Sequence, residues 1–229
     1  MDNNYGHRER LRKRFLATKL DGFSEHEILE LLLSFTIVRR DCKSISKEIL
    51  LKYNSLYNFI SQSESTMLSE KYISERSIVL LKLIFELVEK ELYKNTFSKT
   101  ITISDNYKLL EYLKFSLSYK SKEIFKIIFL NTQNELLKDE NLFFGTIDRS
   151  SIYIREIIEK VLAYNAKSII LVHNHPSGSL KPSKADFIVT NKIKEVLEVM
   201  DVKILDHIII SKNGYFSFLE EGVLWKYLI

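Results

Sequence analysis

The chain has 229 residues, 45% hydrophobic and 28% charged, an ordinary globular balance long enough for a sizeable core and two modest domains. Cys42 is the one cysteine, which excludes an internal disulfide and any cysteine-based zinc site. The formal net charge of +4 is concentrated: residues 1–14 carry Arg8, Arg10, Arg12, Lys13 and Arg14 against Asp2 and Glu9, so the remainder is nearly neutral. No apolar secretion segment opens the chain, and runs such as Leu31–Leu33 or Ile127–Leu130 are too short for a bilayer, so the expectation is a soluble cytoplasmic protein.

Residues 7–94 read as helical. Ser24 with Glu27 three residues later is a capping-box pattern, followed by Ile28, Leu29, Leu31, Leu32 and Phe35. Further helical segments run through Ile45–Leu51 and Ile78–Leu92, and Asn95–Lys99 reads as a polar linker. From Ile101 the pattern changes. Tyr107–Phe115 reads as helix, Glu123–Asn131 as strand, Leu136–Gly145 as a return strand and Ser151–Leu162 as helix. Ser168–His173 reads as a buried strand and Lys184–Met200 as a helix capped by Ser183. Ile204–Ser211 and Tyr215–Leu219 pair around Lys212-Asn213-Gly214. The predicted class is α/β (α+β): an all-helical domain over residues 1–95, then helices on a small mixed sheet over 101–229.

Both prolines, one of the six glycines and two of the five histidines fall between His173 and Ser183. Residues two apart on a strand share a face, so His173 and His175 project side by side if the strand persists. Asp186 falls in the first turn of the next helix, on the apolar stripe of Val189, Ile193, Val196, Leu197 and Met200. A carboxylate leaning toward a core needs a strong partner. The bland alternatives are an acid capping the helix and polar residues closing a strand. Two imidazoles and a carboxylate are instead the donor set of an open catalytic zinc site, which implies metal-assisted hydrolysis. A zinc deaminase is excluded, because it needs a Cys-x-x-Cys pair.

His173-x-His175, Ser183 and Asp186 resemble the JAMM motif of JAB/MPN metalloproteases. The longer string His173-Asn174-His175-Pro176-Ser177-Gly178, with Leu205-Asp206-His207-Ile208-Ile209-Ile210, resembles the RadC family. Gly6-His7-Arg8-Glu9-Arg10-Leu11-Arg12, Asp21-Gly22-Phe23-Ser24 and Arg39-Arg40-Asp41 resemble it too, so the likeness covers nearly the whole chain. It implies a JAB/MPN fold with Zn2+ at His173, His175 and Asp186. It also implies Glu123 as general base, Ser183 as a donor to the oxyanion, and a peptide or isopeptide substrate. Glu123 is in phase with Phe125, Ile127 and Phe129, opposite Lys122 and Lys126; Glu135, Glu140 and Glu156 carry no such mark. His207 reads as a structural histidine, with contact to the site or ligation as alternatives.

The helical domain resembles helix-hairpin-helix DNA binders, but Tyr72 and Ser74 stand where that hairpin carries glycines. The basic arm is therefore the expected place for weak, sequence-independent DNA contact through Arg8, Arg10, Arg12, Lys13 and Arg14. The competing function is a non-catalytic DNA-associated adaptor, linked to repair or recombination, whose metal is structural; another metal hydrolase, such as a nuclease, is the third.

Overall fold

The computed structural model describes residues 3–97, 106–144 and 150–224. Lys99, Ile101 and Gly145, at which predicted segments begin or end, lie outside them. The chain forms two compact units, residues 1–88 and 89–229.

The first unit holds helices α1 (Asn3–Thr18), α2 (Glu25–Leu33), α3 (Cys42–Tyr53), α4 (Leu56–Ile60) and α5 (Glu64–Leu68) and the start of the long α6 (Glu75–Phe97), whose residues from 89 onward belong to the second. The capping residues act as the sequence predicts: the Glu27 carboxylate accepts from the Ser24 N–H at 3.0 Å. Leu29, Leu33, Phe59, Met67 and Leu81 are fully buried. Between α5 and α6, Tyr72 has φ +70°, the left-handed conformation that favours glycine. The turn is thus kept without the glycine, and the Arg40 guanidinium lies 4.2 Å from the Tyr72 ring centroid.

Asn95 to Phe97 belong to α6 rather than to a linker. Local polarity suggests a linker, but ring packing of Tyr93 and Phe97 on Tyr112 extends the helix. Thr96 adds a hydrogen bond to the Lys108 carbonyl at 3.0 Å.

The second unit holds α7 (Asn106–Leu117), β1 (Ile124–Leu130), β2 (Leu136–Phe144), α8 (Ser150–Ala163), β3 (Ser168–Asn174), α9 (Lys184–Val199), β4 (Lys203–Ser211) and β5 (Gly214–Ser217). The strands form one mixed sheet in the order β2-β1-β3-β4-β5, with β3 and β4 parallel and the other neighbours antiparallel. Strands β1 and β3 are buried along their whole length, as apolar runs covered on both faces should be. One face carries Phe125, Ile127, Phe129, Ile169 and Leu171 against α8 and α9. The other carries Ile128, Ile170, Val172 and Ile208 against α7. The parallel connection β3-α9-β4 therefore puts the carboxyl end of β3 beside the amino end of α9, where ligands of α/β sheets commonly bind. No helix among the described residues is long and apolar enough to cross a membrane.

Candidate metal centre

His173 is the penultimate residue of β3 and is fully buried; its partner across the sheet is Phe125. The extended backbone persists past Asn174, because the His175 N–H donates to the Ile210 carbonyl at 2.8 Å. Both imidazoles therefore fall on the α8/α9 face. The chain then turns at Gly178, whose N–H donates to the His175 carbonyl at 3.0 Å with φ +88°. That left-handed φ favours glycine, and a Cβ there would also lie 2.7 Å from Lys212 Cε.

Asp186 reaches the same point from the first turn of α9. Its Oδ2 accepts the Ser183 N–H at 2.6 Å, and its own N–H donates to Ser183 Oγ at 3.2 Å. The capping interpretation and the ligand interpretation thus hold together. Asp186 Oδ1 lies 3.3 Å from His173 Nε2, and Oδ2 lies 3.6 Å from His175 Nε2. The two Nε2 atoms are 3.0 Å apart. Tetrahedral zinc with bonds of about 2.0–2.1 Å needs donors about 3.3 Å apart. The three donors fit it, and among the described residues they form a group able to hold an ion.

The surrounding hydrogen bonds fix the protons. His175 Nδ1 faces the Ser179 carbonyl at 3.0 Å, a pure acceptor, so that nitrogen is the donor. The Thr190 hydroxyl donates to the Asp186 main-chain carbonyl at 2.6 Å, so it must accept from His207 Nδ1, also at 2.6 Å. Burial holds the His207 pKa well below its ordinary value, so the ring is neutral and its Nε2 is bare. That nitrogen lies 2.8 Å from His173 Nδ1, which therefore donates. In the neutral rings, both Nε2 lone pairs then point at the carboxylate of Asp186. Only a cation reconciles three such donors. Hydrogen bonding to Asp186 raises the His175 pKa. Burial pushes the Asp186 carboxyl up, but His173 and His175 together hold it well below the usual range.

Sequence reasoning gave His207 a structural part. Its Nε2 meets the Nδ1 of His173 at 2.8 Å, so His207 would not serve as a fourth donor to an ion held by His173, His175 and Asp186. Phe218 stacks on it at 4.7 Å and Phe125 meets it edge-on at 6.0 Å. Thr190 is a contributor that no sequence argument singled out.

Glu123 immediately precedes β1 rather than opening it. The β1/β3 register pairs Phe125 with His173, and continued by two residues it sets Glu123 opposite His175. Burial raises the Glu123 pKa, while His173 and His175 pull it down. Ser183 is exposed at the amino end of α9; its oxygen accepts the Asp186 N–H and its own hydrogen remains available. The other glutamates point elsewhere: Glu135 takes Asn131 at 2.7 Å, and Glu140 takes Tyr164 at 2.8 Å and Lys160 at 3.0 Å. Glu156 is half-buried on α8.

In the basic arm, Arg8 donates to the Val38 carbonyl at 2.7 Å and also to Arg40, Lys13 pairs with Glu9 at 2.9 Å, and Arg14 pairs with Glu27 at 2.8 Å. Arg12 lies over the Phe35 ring at 5.2 Å.

The profile of RadC-like JAB domains matches residues 103–223, the part of the chain that holds this centre. Over nearly the full length the chain is similar to UPF0758 proteins. That of Fusobacterium nucleatum is 45% identical over 228 residues, covering 97% of this chain and 98% of the relative. That of Haemophilus influenzae strain 86-028NP is 35% identical over 215 residues, covering 93% and 96%. That of Pseudoalteromonas translucida is 31% identical over 216 residues, covering 94% and 96%. With an α/β fold, a matching domain and relatives along its whole length, the chain belongs to the RadC family of JAB-domain proteins.

Proposed function

We propose that this protein is a zinc-dependent hydrolase of peptide or isopeptide bonds, acting in the cytoplasm. The observation that carries the reading is the convergence of two imidazole Nε2 atoms and one carboxylate, with Glu123 on the segment that leads into the neighbouring strand. Three protein donors leave a coordination position open, as in catalytic rather than structural zinc sites. The orientation of His207 away from the ion favours this over an adaptor with a closed site.

His173, His175 and Asp186 would hold the ion, which when bound acidifies water and polarises a carbonyl. Glu123 takes the proton of the attacking water and returns it to the leaving amine. Partial burial, which raises its pKa, suits a group that must bind and release a proton near neutrality. The Ser183 hydroxyl, with its oxygen already accepting from α9, donates its hydrogen to the developing oxyanion. His207 and Thr190 hold the His173 ring in its ligating tautomer.

The test is Glu123→Gln, measured on a library of peptide and isopeptide substrates with the zinc-loaded protein. The variant should keep its zinc and lose roughly a hundredfold or more in rate. An active Glu123→Gln protein refutes the base assignment.

A further inference from the structure

Asn174 stands between two ligands, and the chemistry above gives it no part. It is fully buried. Strand alternation turns it away from the face that carries the two imidazoles. Its carboxamide instead takes three main-chain partners from the segment that leads into β1. Oδ1 accepts the Ile124 N–H at 2.7 Å. Nδ2 donates to the Lys120 carbonyl at 3.3 Å and the Lys122 carbonyl at 3.2 Å.

Two of these bonds bracket Glu123, one on the residue before it and one on the residue after. The ladder between β1 and β3 ends at the pair Phe125 and His173. Glu123 therefore lies beyond the strand pairing that would otherwise hold it to the ligand strand, and the Asn174 amide supplies the missing tie. The chemistry of the group fits the task. A carboxamide offers one acceptor and two donors in one plane, whereas aspartate would turn an anion toward two carbonyls and leucine would bond none.

We propose that Asn174 is the positioning residue for Glu123: it fastens the segment carrying the general base to the strand carrying two metal ligands, so that base and ion move as one rigid unit. The proposal rests on the reading of Glu123 as the base. A displacement of about 1 Å at such a site is enough to lower a rate by about a hundredfold.

Cobalt(II) in place of zinc gives a readout that needs no substrate. The pH midpoint of the visible spectrum of the cobalt-loaded, full-length protein senses charge beside the metal. Glu123→Gln, which removes that charge, should move the midpoint by about half a unit or more. Asn174→Ala should still bind one cobalt ion per chain and move the midpoint in the same direction. In the Glu123→Gln background it should add nothing, because both changes act through one carboxylate. Asn174→Ser, which keeps a buried polar group, carries the same test should Asn174→Ala fail to fold. A wild-type midpoint in the Asn174 variants, with Glu123→Gln effective, overturns the proposal. So does an Asn174→Ala shift that persists undiminished in the Glu123→Gln background. A wild-type midpoint in Glu123→Gln itself is a distinct result: it removes the base reading, and the proposal with it.

Discussion

Replacing His207 with phenylalanine separates its packing from its hydrogen bonding. The new ring retains the stacking on Phe218 and the edge contact with Phe125. Both nitrogens are lost, and the His173 Nδ1–H is left in a fully buried place without an acceptor. An orphaned buried donor costs about 1–3 kcal/mol. The cost is not shared equally between the two states of the protein. Without metal, His173 can carry its proton on Nε2, where Asp186 Oδ1 accepts it from 3.3 Å. With metal, Nε2 must be bare and the proton must sit on Nδ1. The penalty therefore falls on the metal-bound state, and zinc affinity should drop about tenfold to a hundredfold, or about 1.4–2.8 kcal/mol. Thr190→Val, which removes the oxygen that orients His207, should weaken zinc in the same direction, and the double variant should be no weaker than His207→Phe alone. Competition with a chromophoric chelator reads the affinity. A folded His207→Phe protein with wild-type zinc affinity would refute the proton assignment on which the argument depends.

Two other perturbations bear on parts of the account further from the ion. Gly178→Ala forces a side chain into a left-handed turn and against Lys212, and the displaced turn carries His175 with it; metal content after dialysis should fall, with a loss of about 1–2 kcal/mol in thermal stability. Wild-type stability and metal retention would show that the turn can be rebuilt without glycine. For the amino-terminal arm, we propose at most weak, sequence-independent DNA binding: Arg8, Lys13 and Arg14 already have partners, leaving Arg10 and Arg12 as the freer cations. The logarithm of affinity should fall with that of salt at about −0.9 per phosphate neutralised, a slope near −2 for two contacts. A much steeper slope, or tight binding that survives removal of residues 1–14, contradicts this.

The candidate ligands are legible in the sequence because they are local. His173 and His175 share a strand face, and Asp186 follows in the next first turn, so two short-range periodicities place all three. Glu123 is legible only as a phase on a strand; that this phase faces the ligands depends on the pairing of Phe125 with His173, 48 positions apart in the sequence. His207 is opaque for the same reason. It meets His173 because β3 and β4 lie parallel around α9, and no local pattern encodes that alignment. Thr190 sits one helical turn after Asp186, but its role requires His207 to arrive first. The linker at Asn95 fails because polarity is a local property, whereas the end of α6 is set by aromatic packing on α7. The charge of the arm can be counted in the sequence; its internal pairing requires the fold.

The metal is the central claim, and elemental analysis tests it most directly. Protein purified without a histidine tag should carry one divalent ion per chain, zinc by the nitrogen-rich donor set, and His173→Ala and His175→Ala should each abolish it. Sub-stoichiometric metal that is indifferent to both substitutions would contradict the account.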